Sequence, residues 1–415
     1  MVQTIDGKFK EKWQFIETEF EDIKKNKLLP FVFTNSEDKQ EELKQETIEQ
    51  ILKNLKEKKF TVSVCGVVKA GKSTFLNSLF FGKNVLPVFD TPLTAKLTFI
   101  EYTDSKKDYF TATFYTEKEW QELNENLREN DREQYEQLNA RIEVSESKQV
   151  TKEELFSTTT SEQYNLEDLK YYVSDPLADP EMEDGKYTPF VKYVNVYINN
   201  ENIKNIRIVD TPGLNDSNII NSKETIKWIG NTHALIFLLK NKGIDSSELQ
   251  FFTAHLSQTK PENRIFVINK IDDISAEDAN AVVAYLRDLG KSENYKQKGD
   301  LFGAREAICK YSGLISLLQK KFNSGLTLDE DEQYHFEGKE NFNPDPDNIL
   351  DKISTKLFNN EGKIRFDSGV KTISNIYETM ITEFTHQKIE KEQSLKNYNK
   401  DLQQLENEIK KEETI

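Results

Sequence analysis

The residue types that can do chemistry in this 415-residue chain cluster in short runs. The first is Gly66-Val67-Val68-Lys69-Ala70-Gly71-Lys72-Ser73, which fits the phosphate-cradling pattern G-x-x-x-x-G-K-S. Gly66 and Gly71 let the backbone turn tightly and aim its N–H groups inward. Lys72 can reach terminal phosphates, and the Ser73 hydroxyl can ligate Mg²⁺. The phosphate-binding candidates are therefore Gly66, Lys69, Ala70, Gly71, Lys72, Ser73 and Thr74. The second run is Asp210-Thr211-Pro212-Gly213. Asp210 can hold Mg²⁺ through water, and the Gly213 amide can approach a γ-phosphate. The third is Asn269-Lys270-Ile271-Asp272. A carboxylate there can accept two hydrogen bonds from N1–H and the exocyclic amine of guanine, whereas adenine offers no such donor pair. Lys270 can lay its stem over the base, and the small residues at Ser312-Gly313 can frame it.

Those runs need scaffolding, and the neighbouring sequence supplies it. Phe60 to Cys65 reads as a buried strand, and Phe75, Leu76, Leu79 and Phe80 fall at helical spacing. The phosphate run thus sits between strand and helix, whose dipole adds positive potential. Lys204 to Val209 and Arg264 to Ile268 read as apolar strands ending at the second and third runs. Thr91-Pro92-Leu93-Thr94-Ala95 lies in a loop before a strand at Lys96 to Tyr102. A threonine from such a loop can come down on Mg²⁺ and the γ-phosphate. Thr94 is the choice, with Thr91 second, so the metal set is Ser73, Thr94 and Asp210.

Net charge is −16, and no basic stripe stands out, which argues against nucleic acid as a partner. The same balance argues against simple electrostatic docking on anionic lipid. Cys65 and Cys309 each fall in an apolar run and read as buried thiols. The N-terminal residues lack an apolar signal core, and no run of about eighteen apolar residues crosses a membrane. The expected place is the cytoplasm, with peripheral contact to the inner face of the cell membrane. The four histidines are scattered, and no metal-ligand spacing joins them.

Trp13, Ile16, Phe20 and Ile23 mark one helix face, and a second helix is expected from Ser36 to about Lys58. Residues 103–189 form an insertion in the nucleotide domain. It holds a strand at Tyr109 to Tyr115, a charged helical stretch from Glu117 to Val144, and a helical piece at Ser161 to Tyr172. Val191 to Ile198 and Lys204 to Val209 read as two strands joined by an Asn-Asn turn, and Asn323 to Pro346 as a polar loop. From Asn348 the chain is helical to its end, with one stripe through Ile373, Ile376, Tyr377, Met380, Ile381 and Phe384 that continues as a seam through Leu395, Tyr398, Leu402, Leu405 and Ile409. The expected domains are N-terminal helices at 1–58, a nucleotide domain at 59–325, and C-terminal helices at 346–415. The pattern is interrupted by the end of the sequence, which suggests truncation or completion by another chain.

With these motifs in place, the sequence resembles the bacterial dynamin-like GTPases. The carrying residues are Gly66 to Asn77, Leu86-Pro87-Val88 with Thr91 to Ala95, Asp210 to Asn215, and Asn269 to Asp272, over roughly Phe60 to Leu318. The resemblance implies an enlarged GTPase domain, with flanking helices as a neck. It implies a low-affinity site for GTP and GDP, and Mg²⁺ as cofactor. It implies hydrolysis stimulated when GTPase domains meet, within a homodimer or with another dynamin-like chain. It also implies peripheral action on membrane lipid by tubulation, fusion or fission. Thr94 would then bind Mg²⁺ and orient the attacking water. Eukaryotic dynamins carry a glutamine and a serine where this chain has Val68 and Lys69, and no apolar membrane-inserting tip stands out. Lys69 could act on the phosphates in cis or across a dimer, which makes Lys72, Thr94 and Lys69 the catalytic candidates.

The expected fold is α/β: a mostly parallel sheet with helices on both faces, plus a helical bundle from both chain ends. The expected function is GTP hydrolysis coupled to self-association at a membrane. The competing reading is a slow GTP-dependent switch that recruits a protein partner without touching lipid. An ATPase is a third reading, disfavoured by Asp272.

Overall fold

The computed structural model describes residues 14–15, 18–19, 59–67, 69–87, 96–151, 155–156, 162–212, 232–253, 259–291, 307–357 and 360–412. The chain divides into two compact units, residues 59–361 and residues 1–58 with 362–415.

The larger unit is built on β1 (Phe60–Gly66), all of whose residues are buried. A strand apolar on both faces belongs in the middle of a parallel sheet covered by helices. β1 leads to a helix, α1 (Lys72–Leu76), which continues as a π-helical turn over Asn77–Phe81. Next come β2 (Leu97–Tyr102) and β3 (Tyr109–Phe114). The charged stretch expected as one helix is two: α2 (Glu117–Asn130) and α3 (Arg132–Ser147). Asp131 separates them, ending the first with non-helical dihedrals and capping the second by accepting from the Gln134 N–H. The helical piece expected at 161–172 is instead a two-residue strand, β4 (Tyr164–Asn165), a 3₁₀ turn and a short helix, α4 (Lys170–Val173). Arg141 on α3 forms a bidentate pair with Asp175, at 3.0 and 2.8 Å, and so ties the segment after α4 to α3 within the insertion.

β5 (Val191–Ile198) and β6 (Ile206–Asp210) follow, then β7 (Ala234–Leu239), α5 (Ser246–Phe251), β8 (Arg264–Ile268), α6 (Ala276–Lys291), β9 (Ile308–Lys310) and α7 (Gly313–Asn323). The nine strands form one sheet in the order β4-β3-β5-β2-β6-β1-β7-β8-β9. From β6 to β9 the pairs are parallel, while β2 runs antiparallel to β6 and parallel to β5. β5 and β6 are therefore no hairpin, because β2 lies between them. Glu101 on β2 explains part of that placement. It is buried, and it pairs with Arg207 on β6 and with Lys59. Burial alone would raise its carboxyl, but the two cations hold it below its usual value.

The expected polar loop at 323–346 contains a helix, α8 (Glu330–Phe336), started by a capping box between Asp329 and Glu332. Phe336 on α8 packs with Leu318 and Leu328. α9 (Ile349–Lys356) ends this unit. In the second unit α10 (Glu361–Glu412) runs 52 residues, and Tyr377, Ile381, Phe384, Leu395, Tyr398 and Leu402 lie exposed on it. The Tyr377 hydroxyl donates to Glu19 at 2.7 Å. Most of residues 1–58 lie outside the described residues, and the helices expected there with them. Among the described residues, no helix is long and apolar enough to cross a membrane.

Candidate functional site

The carboxyl ends of β1, β6 and β8 bring the sequence motifs together. Parallel strands all end on one edge of the sheet, and the loops leaving that edge share one crevice. β1 and β7 approach so closely that a Cβ at Gly66 would lie 2.6 Å from the Leu238 carbonyl oxygen. The chain can thus leave β1 beside its neighbour only with glycine at this point. The turn closes through the Ala70 N–H, which donates to Val67 O at 3.1 Å. Lys69 has φ 64 and Gly71 φ 81, both left-handed. Gly71 then begins α1, accepting at its carbonyl from the Phe75 N–H at 2.9 Å. A Cβ on Gly71 would lie 2.7 Å from Asn269 Nδ2, so this glycine is required by space as well as by φ.

Lys72 sits in the first turn of α1, buried, with Nζ 3.3 Å from the Gly66 carbonyl oxygen. Its ammonium is therefore folded back over the loop it would complete. Ser73 Oγ lies 3.4 Å from Asp210 Oδ2. Asp210 ends β6, paired in register with Val64 of β1, and is 1% exposed. Its Oδ1 is buried without a hydrogen-bond donor. Burial pushes the carboxyl up to about 6, against the opposing pull of Lys72 and Ser73. A hydroxyl and a carboxylate with an unsatisfied oxygen form a hard-oxygen donor set, which fits Mg²⁺. Next to Asp210, the Thr211 hydroxyl donates to Val64 O at 3.1 Å and locks the motif onto β1. Val68, Thr91, Thr94 and Gly213 lie outside the described residues.

Asn269, the first residue of the third run, braces the site. Its Nδ2 donates to Ala70 O at 2.8 Å, and its Oδ1 accepts from the Gly313 N–H at 2.9 Å. One buried amide thus joins the phosphate loop to the start of α7. The Gly313 N–H, expected to frame a base, is engaged in that brace. Lys270 has φ 62, and its carbonyl accepts from the Asn241 side chain at 3.2 Å. Asp272 lies in the 3₁₀ turn after β8. Its Oδ1 accepts from the Ser312 hydroxyl at 2.6 Å. Ser312 also caps α7, accepting from the Ile315 N–H at 3.2 Å. Ser312 therefore orients the carboxylate.

Two contributors lie outside the three chemical runs, although Asn77 closes the first stretch that carries the family resemblance. Asn77, fully buried, accepts at Oδ1 from the N–H groups of Val85 and Leu86 and donates from Nδ2 to Leu86 O. It clamps the backbone at Val85 and Leu86, the chain just beyond α1 and its π-helical turn. Lys339, from the stretch expected as plain loop, donates to Asp272 Oδ2 at 3.1 Å. Away from the site, both cysteines are buried, and burial pushes each thiol up to about 12.

The chain is 26% identical over 286 residues to "Dynamin-like protein 1" of Campylobacter jejuni, covering 65% of this chain and 36% of that protein. It is 31% identical over 192 residues to "Bacterial dynamin-like protein" of Nostoc punctiforme, covering 45% of this chain and 21% of that one. It thus spans only a fraction of the length of either relative. Among solved structures, one described as an oligomerised bacterial dynamin pair for long-range sensing and tethering of membranes has the same fold. It matches with a TM-score of 0.51 at 21% identity, over all of this chain and 53% of that one. Residues 62–271 match the Dynamin family. That span holds the phosphate loop, Asp210 and the Asn269 motif, and on it this chain belongs to the dynamin family.

Proposed function

We propose that this chain binds GTP with Mg²⁺ and hydrolyses it to GDP and phosphate. The observation that carries the reading is the convergence of Lys72, Ser73, Asp210 and Asp272 on one sheet edge, cross-braced by Asn269. Lys72 and the loop N–H groups would meet the β- and γ-phosphates, and the dipole of α1 adds to them. Ser73 and Asp210, with Thr94, would hold Mg²⁺, which when bound neutralises charge on the phosphate oxygens. Asp272 would accept from guanine N1–H and its amine, held in register by Ser312. Catalysis would then rest on positioning and electrostatics, with Lys69 placed in the loop to act on the phosphates. Residues 59–361 would form the GTPase domain, extending past the expected boundary at 325 to take in α8 and α9, and 1–58 with 362–415 a helical neck.

We further propose that hydrolysis is stimulated when GTPase domains pair, between copies of this chain or with another dynamin-like chain, at the cytoplasmic face of a membrane. The family membership supports this reading, and so do the relatives and the described helical content. GTP turnover per molecule, measured across a wide range of protein concentration with and without liposomes, tests it. Specific activity that climbs with concentration or lipid is the expected result. A flat, slow rate would favour a switch that recruits a protein partner. Retention of full stimulated turnover by Lys69→Ala would remove that residue from catalysis.

A further inference from the structure

The carboxylate proposed to read the base is held by a residue outside every motif. The Asp272 side chain is 5% exposed, and Lys339 Nζ lies 3.1 Å from its Oδ2 while Ser312 occupies Oδ1. Guanine needs both of those oxygens for its N1–H and amine donors. A hydroxyl can rotate and share an acceptor. An ammonium on Oδ2 takes up one of that oxygen's acceptor positions and its negative charge, and so competes with the second donor for it.

The backbone that carries Lys339 is anchored independently of this pair. Gly338 takes φ 74, the Lys339 N–H donates to Phe336 O at 2.9 Å, and the Phe342 N–H donates to Lys339 O at 3.0 Å. The Gln319 amide on α7 donates to Phe342 O at 2.8 Å, and the Ser312 N–H to Pro344 O at 2.8 Å. The segment is therefore docked along α7. The movable part is the lysine side chain, which is 32% exposed at its end of the pair.

We propose that Lys339 is a latch on the base site: its ammonium occupies Asp272 and must leave before guanine binds, so that it sets the affinity for guanine nucleotides. The inference rests on Asp272 being the guanine-reading carboxylate. Truncating the lysine removes the competitor, and the partly exposed pair corresponds to a gain of about fivefold.

The test uses GDP with a fluorophore on its ribose and the full chain with Lys339→Ala and Lys339→Met, the second keeping the aliphatic stem. Both variants are expected to bind GDP about fivefold more tightly, mainly through faster association. A control asks whether the effect runs through the carboxylate. Asp272→Asn alone and with Lys339→Ala are titrated with xanthosine diphosphate, whose C2 carbonyl matches the new amide donor. There the lysine change is expected to make no difference. Unchanged or weaker GDP binding by both Lys339 variants overturns the latch, and so does an equal gain in the Asp272→Asn background. If the unmodified chain binds no GDP, the reading of the site fails, and the latch with it.

Discussion

Asp210 and Asp272 are both aspartates at the carboxyl edge of the same sheet, both shielded from water, and both proposed to meet a ligand. Their surroundings differ. Asp272 has each oxygen engaged, by Ser312 and by Lys339. Asp210 has only a long contact to Ser73 and one orphaned oxygen, and burial raises its carboxyl to about 6. A buried charge with partners is stable, so its ligand must compete. A buried charge short of partners destabilises the fold that carries it, so its ligand repays that cost on binding. The base end would thus tune affinity, and the phosphate end would be poised for a cation.

The largest effect should come from Lys72, the cation that partly offsets Asp210. Lys72→Ala removes the charge proposed to meet the phosphates and leaves the carboxylate more isolated. GTP affinity should fall by about a thousandfold in a fluorescent-nucleotide titration. Undiminished binding would remove Lys72 from the site.

Asp210→Asn tests the cost of the starved carboxylate. The folded value of about 6 lies above the usual 3.8. The native state therefore binds the proton more tightly than the unfolded chain does. Below about pH 4 both states are protonated and ionisation carries no penalty. The penalty grows between those values and is complete above about 6, where it reaches about 3 kcal/mol. Nucleotide-free, Mg²⁺-free protein should lose stability over that window. The variant should lack this loss and be the more stable protein at pH 8, while binding Mg²⁺·GTP poorly. Denaturant unfolding at pH 4 and pH 8 checks the sign, and equal pH slopes in the two proteins would refute it.

At the other end, Asp272→Asn should lower GTP affinity by about a hundredfold and raise affinity for xanthosine triphosphate, because an amide donor now faces the C2 position. Competition between the two nucleotides measures the exchange. The smallest effect belongs to Ser312→Ala, which removes one of two partners of Asp272 and the cap of α7. GTP binding should weaken about threefold and the melting temperature should fall slightly. A loss as large as that of Asp272→Asn would show that Ser312 touches the nucleotide itself.

Much of this site is legible in sequence because phosphate binding is local chemistry. Gly66 to Ser73 is one continuous turn whose N–H groups, lysine and hydroxyl are delivered by a strand before it and a helix after it. The apolar runs of β1, β6 and β8 are equally plain, since strands buried on both faces leave no polar alternation. Asp131 and Asp329 show where reading by composition stops. Each is an acidic residue in a charged or polar stretch, and each acts as a helix cap, which depends on a single N–H nearby. The helix boundaries there follow from geometry that residue counts do not carry.

The sequence by itself carried the family resemblance, the strand–loop–helix unit, the order of the motifs and the residues proposed to meet phosphate, metal and guanine. Those follow from contiguous residues whose backbone and side chains act within one turn. Only the tertiary structure decided that β2 separates β5 from β6, that Asn269 braces the phosphate loop against Gly313, that Asn77 clamps Leu86, and that Lys339 reaches Asp272 across 67 positions. A contact between distant segments has no signature in either one, because its energy exists only once the sheet has brought their ends to the same edge.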